Sequence, residues 1–141
     1  MPTVLVLPSE DPRLNTGLGA VLDSTVNARI IDPEPGPGSP SARACSAINA
    51  LAPTPPLTVV AFGETALVLP ALALSQRTAH RRVMEYVLVD PRLPAVTESW
   101  PDARVTIVTD DPESPASLQG RLRGWRVIEH ADFGDWTPDA T

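Results

Sequence analysis

Four side chains in this sequence have the types needed for acyl-transfer chemistry: the hydroxyls of Ser9 and Thr65, the imidazole of His130 and the carboxylate of Asp110. A hydroxyl becomes a nucleophile when a base about 3 Å away takes its proton and a carboxylate holds that base in place. Such a set would hydrolyse an ester or a thioester, with either Ser9 or Thr65 attacking, His130 as base and Asp110 as its orienting acid. The Asp110-Asp111-Pro112 run reads equally well as a turn and helix start.

Other chemistries find little support. Cys45 is the single cysteine, so no internal disulfide, zinc cluster or CxxC pair can form, and its place on an apolar helical stripe makes it a small core side chain. The two histidines, His80 and His130, form no HxH or HExxH spacing, so no metal site is expected. Gly36-Pro37-Gly38 precedes a helix but lacks the dinucleotide fingerprint, and Pro40 removes an amide donor. No cofactor is expected. His80, with Arg77, Arg81 and Arg82, reads as a cationic complement to a helix C-terminus.

The elements that would position these residues alternate along the chain. Near-continuous apolar runs at 3–7, 28–32, 57–62, 86–90, 104–110 and 125–130 predict six strands covered on both faces. Leu14, Leu18, Val21 and Leu22 predict a first helix, and Ser39 with Pro40 opens a second that stops at Pro53. A third, over about 64–78, is apolar nearly all round, must be covered on most sides, and should kink at Pro70. Residues 92–100 predict about one helical turn, and Ser114 with Pro115 opens a short last helix carrying Leu118 and Leu122. The rigid loop at 32–40 reads as a connector inside one domain spanning residues 1–141.

With 141 residues and 43% hydrophobic composition, one core is expected. The charge is −6, from 17 acidic and 11 basic groups, and every basic group is arginine. An acidic surface repels phosphate, so neither nucleic acid nor an anionic membrane is expected as a partner. The segment MPTVLVLPSEDP lacks the basic region and apolar length of a signal peptide, and no run is long enough to span a membrane. A cytoplasmic protein is the expectation.

Taken in order, several stretches resemble the α/β-hydrolase family. VLVLPSEDP resembles its first core strand and oxyanion loop, ARIIDPEPGPGSP a strand with the loop after it, and VVAFGETA the nucleophile elbow. YVLVDP resembles the next strand, RVTIVTDD the strand ending in the triad acid, and WRVIEHADFGDW the last strand and histidine loop. The resemblance implies a three-layer sandwich with a mainly parallel six-stranded sheet in the order 2-1-3-4-5-6. It also implies a reduced form without a cap domain.

Laid on the elbow pattern G-x-S-x-G, the chain reads Ala61-Phe62-Gly63-Glu64-Thr65, with glycine where the family carries its nucleophile. Glycine reaches positive φ without steric cost, so the bend would persist without its hydroxyl. A register with Thr65 as nucleophile puts bulky Leu67 where strand and helix must approach. The resemblance therefore implies a catalytically inactive module that binds a ligand or acts as a scaffold. Its cleft would be walled by Pro8, Ser9, Glu10, Phe62, Gly63, Glu64, Asp90, Asp110 and His130. The gathered carboxylates favour a neutral or cationic small molecule. A homo-oligomer formed through the third helix, or through the tail with Phe133 and Trp136, is the other expected partner.

Overall fold

Strand β3 (Leu57–Phe62) shows how the sheet is built. All six of its residues are buried, and they alternate between two cores. Leu57, Val59 and Ala61 join one cluster, and Val60 and Phe62 the other. A strand buried on both faces must be apolar at consecutive positions, which is why the sequence reads as a run rather than an alternation. The structure is a computed structural model that describes residues 3–33, 35–98 and 100–130.

The remaining strands are β1 (Thr3–Leu7), β2 (Ala28–Ile30), β4 (Val83–Val89), β5 (Arg104–Val108) and β6 (Arg126–Ile128). They form one sheet in the order β2-β1-β3-β4-β5-β6, and every pairing is parallel. Helices α1 (Leu18–Ser24), α2 (Pro40–Leu51), α3 (Leu69–Thr78) and α4 (Pro115–Leu122) make the crossovers. The larger core cluster lies under α2 and α3, through Ala44, Ile48, Leu69, Leu72 and Ala73, and α4 packs on the same face against Ile107 and Val127. The smaller cluster lies under α1, through Leu18 and Val21. Among the described residues no helix is long and apolar enough to cross a membrane.

The helix ends follow local chemistry. Ser39 accepts a hydrogen bond from the Ala42 N–H at the start of α2, and Ser114 accepts one from Ser117 at the start of α4, each followed by proline in the first turn. In α4, Ser117 and Gly120 are buried, whereas Leu118 and Leu122, expected to carry the helix, are exposed.

Four expectations need correction. Pro70 does not kink a long third helix: residues Gly63–Val68 form a 3₁₀ stretch, and Pro70 falls in the first turn of α3, where its missing N–H leaves no bond broken. That helix is also less covered than its composition implies, since Leu67 and Leu74 are exposed. Residues 92–98 and Trp100 form no helical turn. With Pro91 and Pro94 at its start, the segment instead runs irregularly to Trp100, which is fully buried and stacks edge-on against Tyr86 and Trp125 at 5.7 and 5.6 Å between ring centres. Finally, Leu14 is not on the first helix. It ends a 3₁₀ turn, Pro12–Leu14, capped by the Asp11 side chain, and α1 begins only at Leu18.

Candidate functional site

The carboxyl ends of β1, β3, β4, β5 and β6 bring the candidate residues together, and the first structural fact there is the bend after β3. Gly63 has φ +59°, a left-handed conformation that favours glycine. The space above it is already taken. A Cβ at position 63 would stand 2.7 Å from Leu14 Cδ1 and 3.1 Å from the Ser9 hydroxyl.

Residues 8–16 are folded down over the bend by a compact set of bonds. Ser9 and Asn15 exchange two, from the Ser9 N–H to Asn15 Oδ1 at 2.8 Å and from Asn15 Nδ2 to the Ser9 carbonyl at 3.0 Å. Glu64 supplies the anchor: its carboxylate accepts from the Ser9 hydroxyl at 2.6 Å and from the Glu10 N–H at 2.8 Å. Burial alone would raise the Glu64 carboxyl, but the bonds from Ser9, Glu10 and its own N–H outweigh it and hold the group below the usual carboxylate range. Ser9 is thereby occupied, donating to Glu64 and accepting from the Asp11 N–H at 3.0 Å.

Thr65 is equally committed. Its hydroxyl lies 3.0 Å from the Leu7 carbonyl and 2.8 Å from that of Phe62, so it ties the ends of β1 and β3 to the 3₁₀ stretch. The partners of His130 are different residues. Its Nε2 is 2.8 Å from Asp90 Oδ2, its backbone N–H donates to Asp110 Oδ1 at 3.2 Å, and its Nδ1 faces the Thr16 hydroxyl at 3.5 Å.

Asp110, expected as the orienting acid, therefore meets the backbone of His130 and not its ring. The bond from the Thr109 N–H to the Ile128 carbonyl carries the β5–β6 ladder past the strand end, which sets Asp110 beside the backbone of His130. Asp90, held at φ +43° with its N–H on the Val108 carbonyl, is the acid that meets the ring. A carboxylate only accepts, so in the neutral ring Nε2 carries the proton and Nδ1 is free to accept one from Thr16. Sequence reasoning missed Thr16, Asn15 and Leu14. All three lie where a helical stripe was expected.

Two cavities open at this end of the sheet where a single cleft was expected. One, of about 460 Å³, opens between β1, β2, α2 and the 3₁₀ stretch, with Leu7, Ile31 and Val68 as apolar walls and Glu10, Asp32 and Arg92 among its charged ones. Pro8, Glu64 and Thr65 also line it. The other, of about 570 Å³, lies between the ends of β4 and β5 and the start of α4, and includes Asp90, Thr109 and Ser114. Leu67 and Arg92 border both. Phe62, expected as a wall, is fully buried, because alternation along β3 turns it into the smaller core. Ser9, Gly63, Asp110 and His130 line neither cavity.

No protein-family profile and no curated protein sequence matches the chain. Among solved structures it is similar to a thioesterase domain, that of NocB, crystallised as a covalent complex with a fluorophosphonate nocardicin G analog. The TM-score is 0.53 over 95% of this chain and 87% of that one, at 14% identity.

The fold is α/β-hydrolase-like.

At that identity the likeness concerns the fold alone. The strand order implied by the hydrolase resemblance is the observed one. In this hydrolase-like fold the ends of β3, β4 and β6 carry Gly63, Asp90 and His130, so an acid and a histidine meet while the bend carries no side chain.

Proposed function

We propose that this chain is a non-hydrolytic α/β-hydrolase-like module that binds a small molecule at the carboxyl end of its sheet, in the cavity between β1, β2 and α2. The observation that carries the reading is at Gly63: a left-handed bend without a side chain, above which Leu14 and Ser9 fill the place a nucleophile would need. Apolar walls with a few charged groups at the rim suit a ligand with a hydrophobic body and a polar end. Glu10 and Asp32 favour a neutral or cationic ligand. With Glu64 the cavity has three carboxylates against two guanidiniums, Arg92 and Arg43, the latter fixed in place by the carbonyls of Gly36 and Gly38 at 3.0 and 2.8 Å. Loss of binding in Leu67→Trp, measured by thermal shift against small amines and polyols, is the expected outcome. A panel that never stabilises the wild type counts against the reading.

A specific geometry favours a second reading, an esterase or thioesterase with displaced groups. Asp90 orients His130, and His130 Nδ1 faces Thr16, so the hydroxyl, base and acid stand in one line, although not with Ser9, Thr65 or Asp110. A 3.5 Å separation is long for proton transfer but can tighten around a substrate. p-Nitrophenyl esters and acyl thioesters separate the two readings. No turnover above buffer is expected, whereas turnover abolished by both His130→Ala and Thr16→Val would establish the second.

A further inference from the structure

The solvent side of a surface helix normally holds its charges. On α2 and α3 the outward rows hold none. Along α2, opposite buried Ala44 and Ile48, run the exposed residues Ala42, Ser46 and Ala50. Along α3, opposite buried Leu72 and Gln76, run Ala71, Leu74 and Thr78, and Leu74 leaves 56% of its surface to solvent. The charged residues that do belong to these helices lie off the two rows and are engaged. Arg43 donates to the Gly36 and Gly38 carbonyls, and Arg77 has a partner of its own. The neighbouring charges are held too, Glu64 by Ser9 and Glu10, and Arg81 by Gln76 and Asn49.

The two helices lie side by side, linked from Asn49 Nδ2 to Ser75 Oγ at 3.5 Å, so the rows belong to one face. That face has relief. Leu74 stands out from α3, whereas the small side chains of Ala42, Ser46 and Ala50 border a hollow of about 450 Å³ whose far wall is Pro33 and Pro37. A two-fold contact needs a surface that complements itself, and a ridge beside a trough does so, since the ridge of each copy meets the trough of the other. Charge favours this face over the other exposed leucines. A chain of net charge −6 repels its own copies, so self-contact is cheapest where charge is absent. Leu118 and Leu122 on α4 share their side of the helix with Arg121, three residues after Leu118, and a two-fold contact there would bring arginines together.

We propose that a second copy of this chain docks on the α2–α3 face, with Leu74 of each protomer seated beside Ser46 of its partner. Small side chains along α2 let the helix axes approach to about 8 Å, the near end of the usual range. The contact needs no bound ligand.

Light scattering of the whole chain, with variants alone and mixed, tests the pairing. The wild type at high concentration is expected at about twice the mass of one chain. Leu74→Glu and Ser46→Arg should each scatter as one chain, because each buries a charge with no partner. An equimolar mixture of the two should regain the dimer, since one contact then sets a carboxylate against a guanidinium while the other keeps the wild-type pair. Both positions are exposed, and far-UV circular dichroism like that of the wild type shows that the fold is kept. Should either variant fail to fold, Leu74→Ser must weaken the dimer about tenfold or more. A wild type that scatters as one chain, variants that leave the dimer intact, or a mixture that stays monomeric overturns the proposal.

Discussion

Gly63 and Leu14 form a coupled pair, and their coupling can be measured. Placing a side chain at φ +59° costs about 1–2 kcal/mol, and the contact with Leu14 Cδ1 at 2.7 Å adds overpacking of similar size, so Gly63→Ala is expected to destabilise by about 3 kcal/mol in urea unfolding. In a Leu14→Ala background the same change should cost about 1 kcal/mol less. Glu64 makes a pH-dependent prediction. Its carboxyl is held below the usual range, so its contribution is fully present above the ordinary glutamate pKa and is lost as pH falls through the lowered one. Glu64→Gln should lower the thermal midpoint at neutral pH, by the equivalent of about 1 kcal/mol for a partly exposed charged hydrogen bond, and the gap to wild type should close on acidification. At this scale the sequence was partly legible. The left-handed bend at Gly63 follows from residue type, because only glycine reaches it cheaply. That Asp90 rather than Asp110 meets the His130 ring could not be read, because it depends on how far the β5–β6 ladder continues past the strand ends.

The strands show why some elements are readable. β3 begins and ends where its apolar run does, because burial on both faces favours apolar side chains, Thr58 being the one polar residue inside it. β2 stops at Ile30 and β6 at Ile128, earlier than their runs suggest, and they are the two edge strands. β5, with a neighbour on each side, stops short in the same way at Val108, so edge position alone does not set these ends. The 3₁₀ turn at Pro12–Leu14 was not legible, since Leu14, Leu18, Val21 and Leu22 fit a helical period that the bonds of Asp11 and Asn15 override. Helix α4 supports a prediction about close packing. A Cβ at Gly120 would lie 2.5 Å from Ile107 Cδ1, itself fully buried. Gly120→Ala gains about 1 kcal/mol of helix propensity but loses about 1–3 kcal/mol to the clash, so a net loss is expected. Ile107→Val removes the opposing methyl, and in that background the same substitution should become neutral or stabilising.

Over the whole molecule, the order of strands and the division into two cores follow from the alternation of apolar runs and helices, and both faces of the sheet are covered as that pattern requires. Solvent-facing Leu67 and Leu74 near and on α3 support the proposed self-association. Light scattering at high concentration is expected to give a mass above the 15.0 kDa of one chain, falling toward it in Leu74→Glu. A wild type that scatters as one chain removes the idea. The tail with Phe133 and Trp136, the alternative contact, lies outside the described residues.

The loop that covers the bend after β3 also has a consequence for evolutionary change. A serine arriving at position 63 meets the Leu14 methyl group and, less closely, the Ser9 hydroxyl, both from another segment. Without a change there, the serine lowers stability. A chain packed this way is therefore more than one substitution away from an elbow with a nucleophile in it.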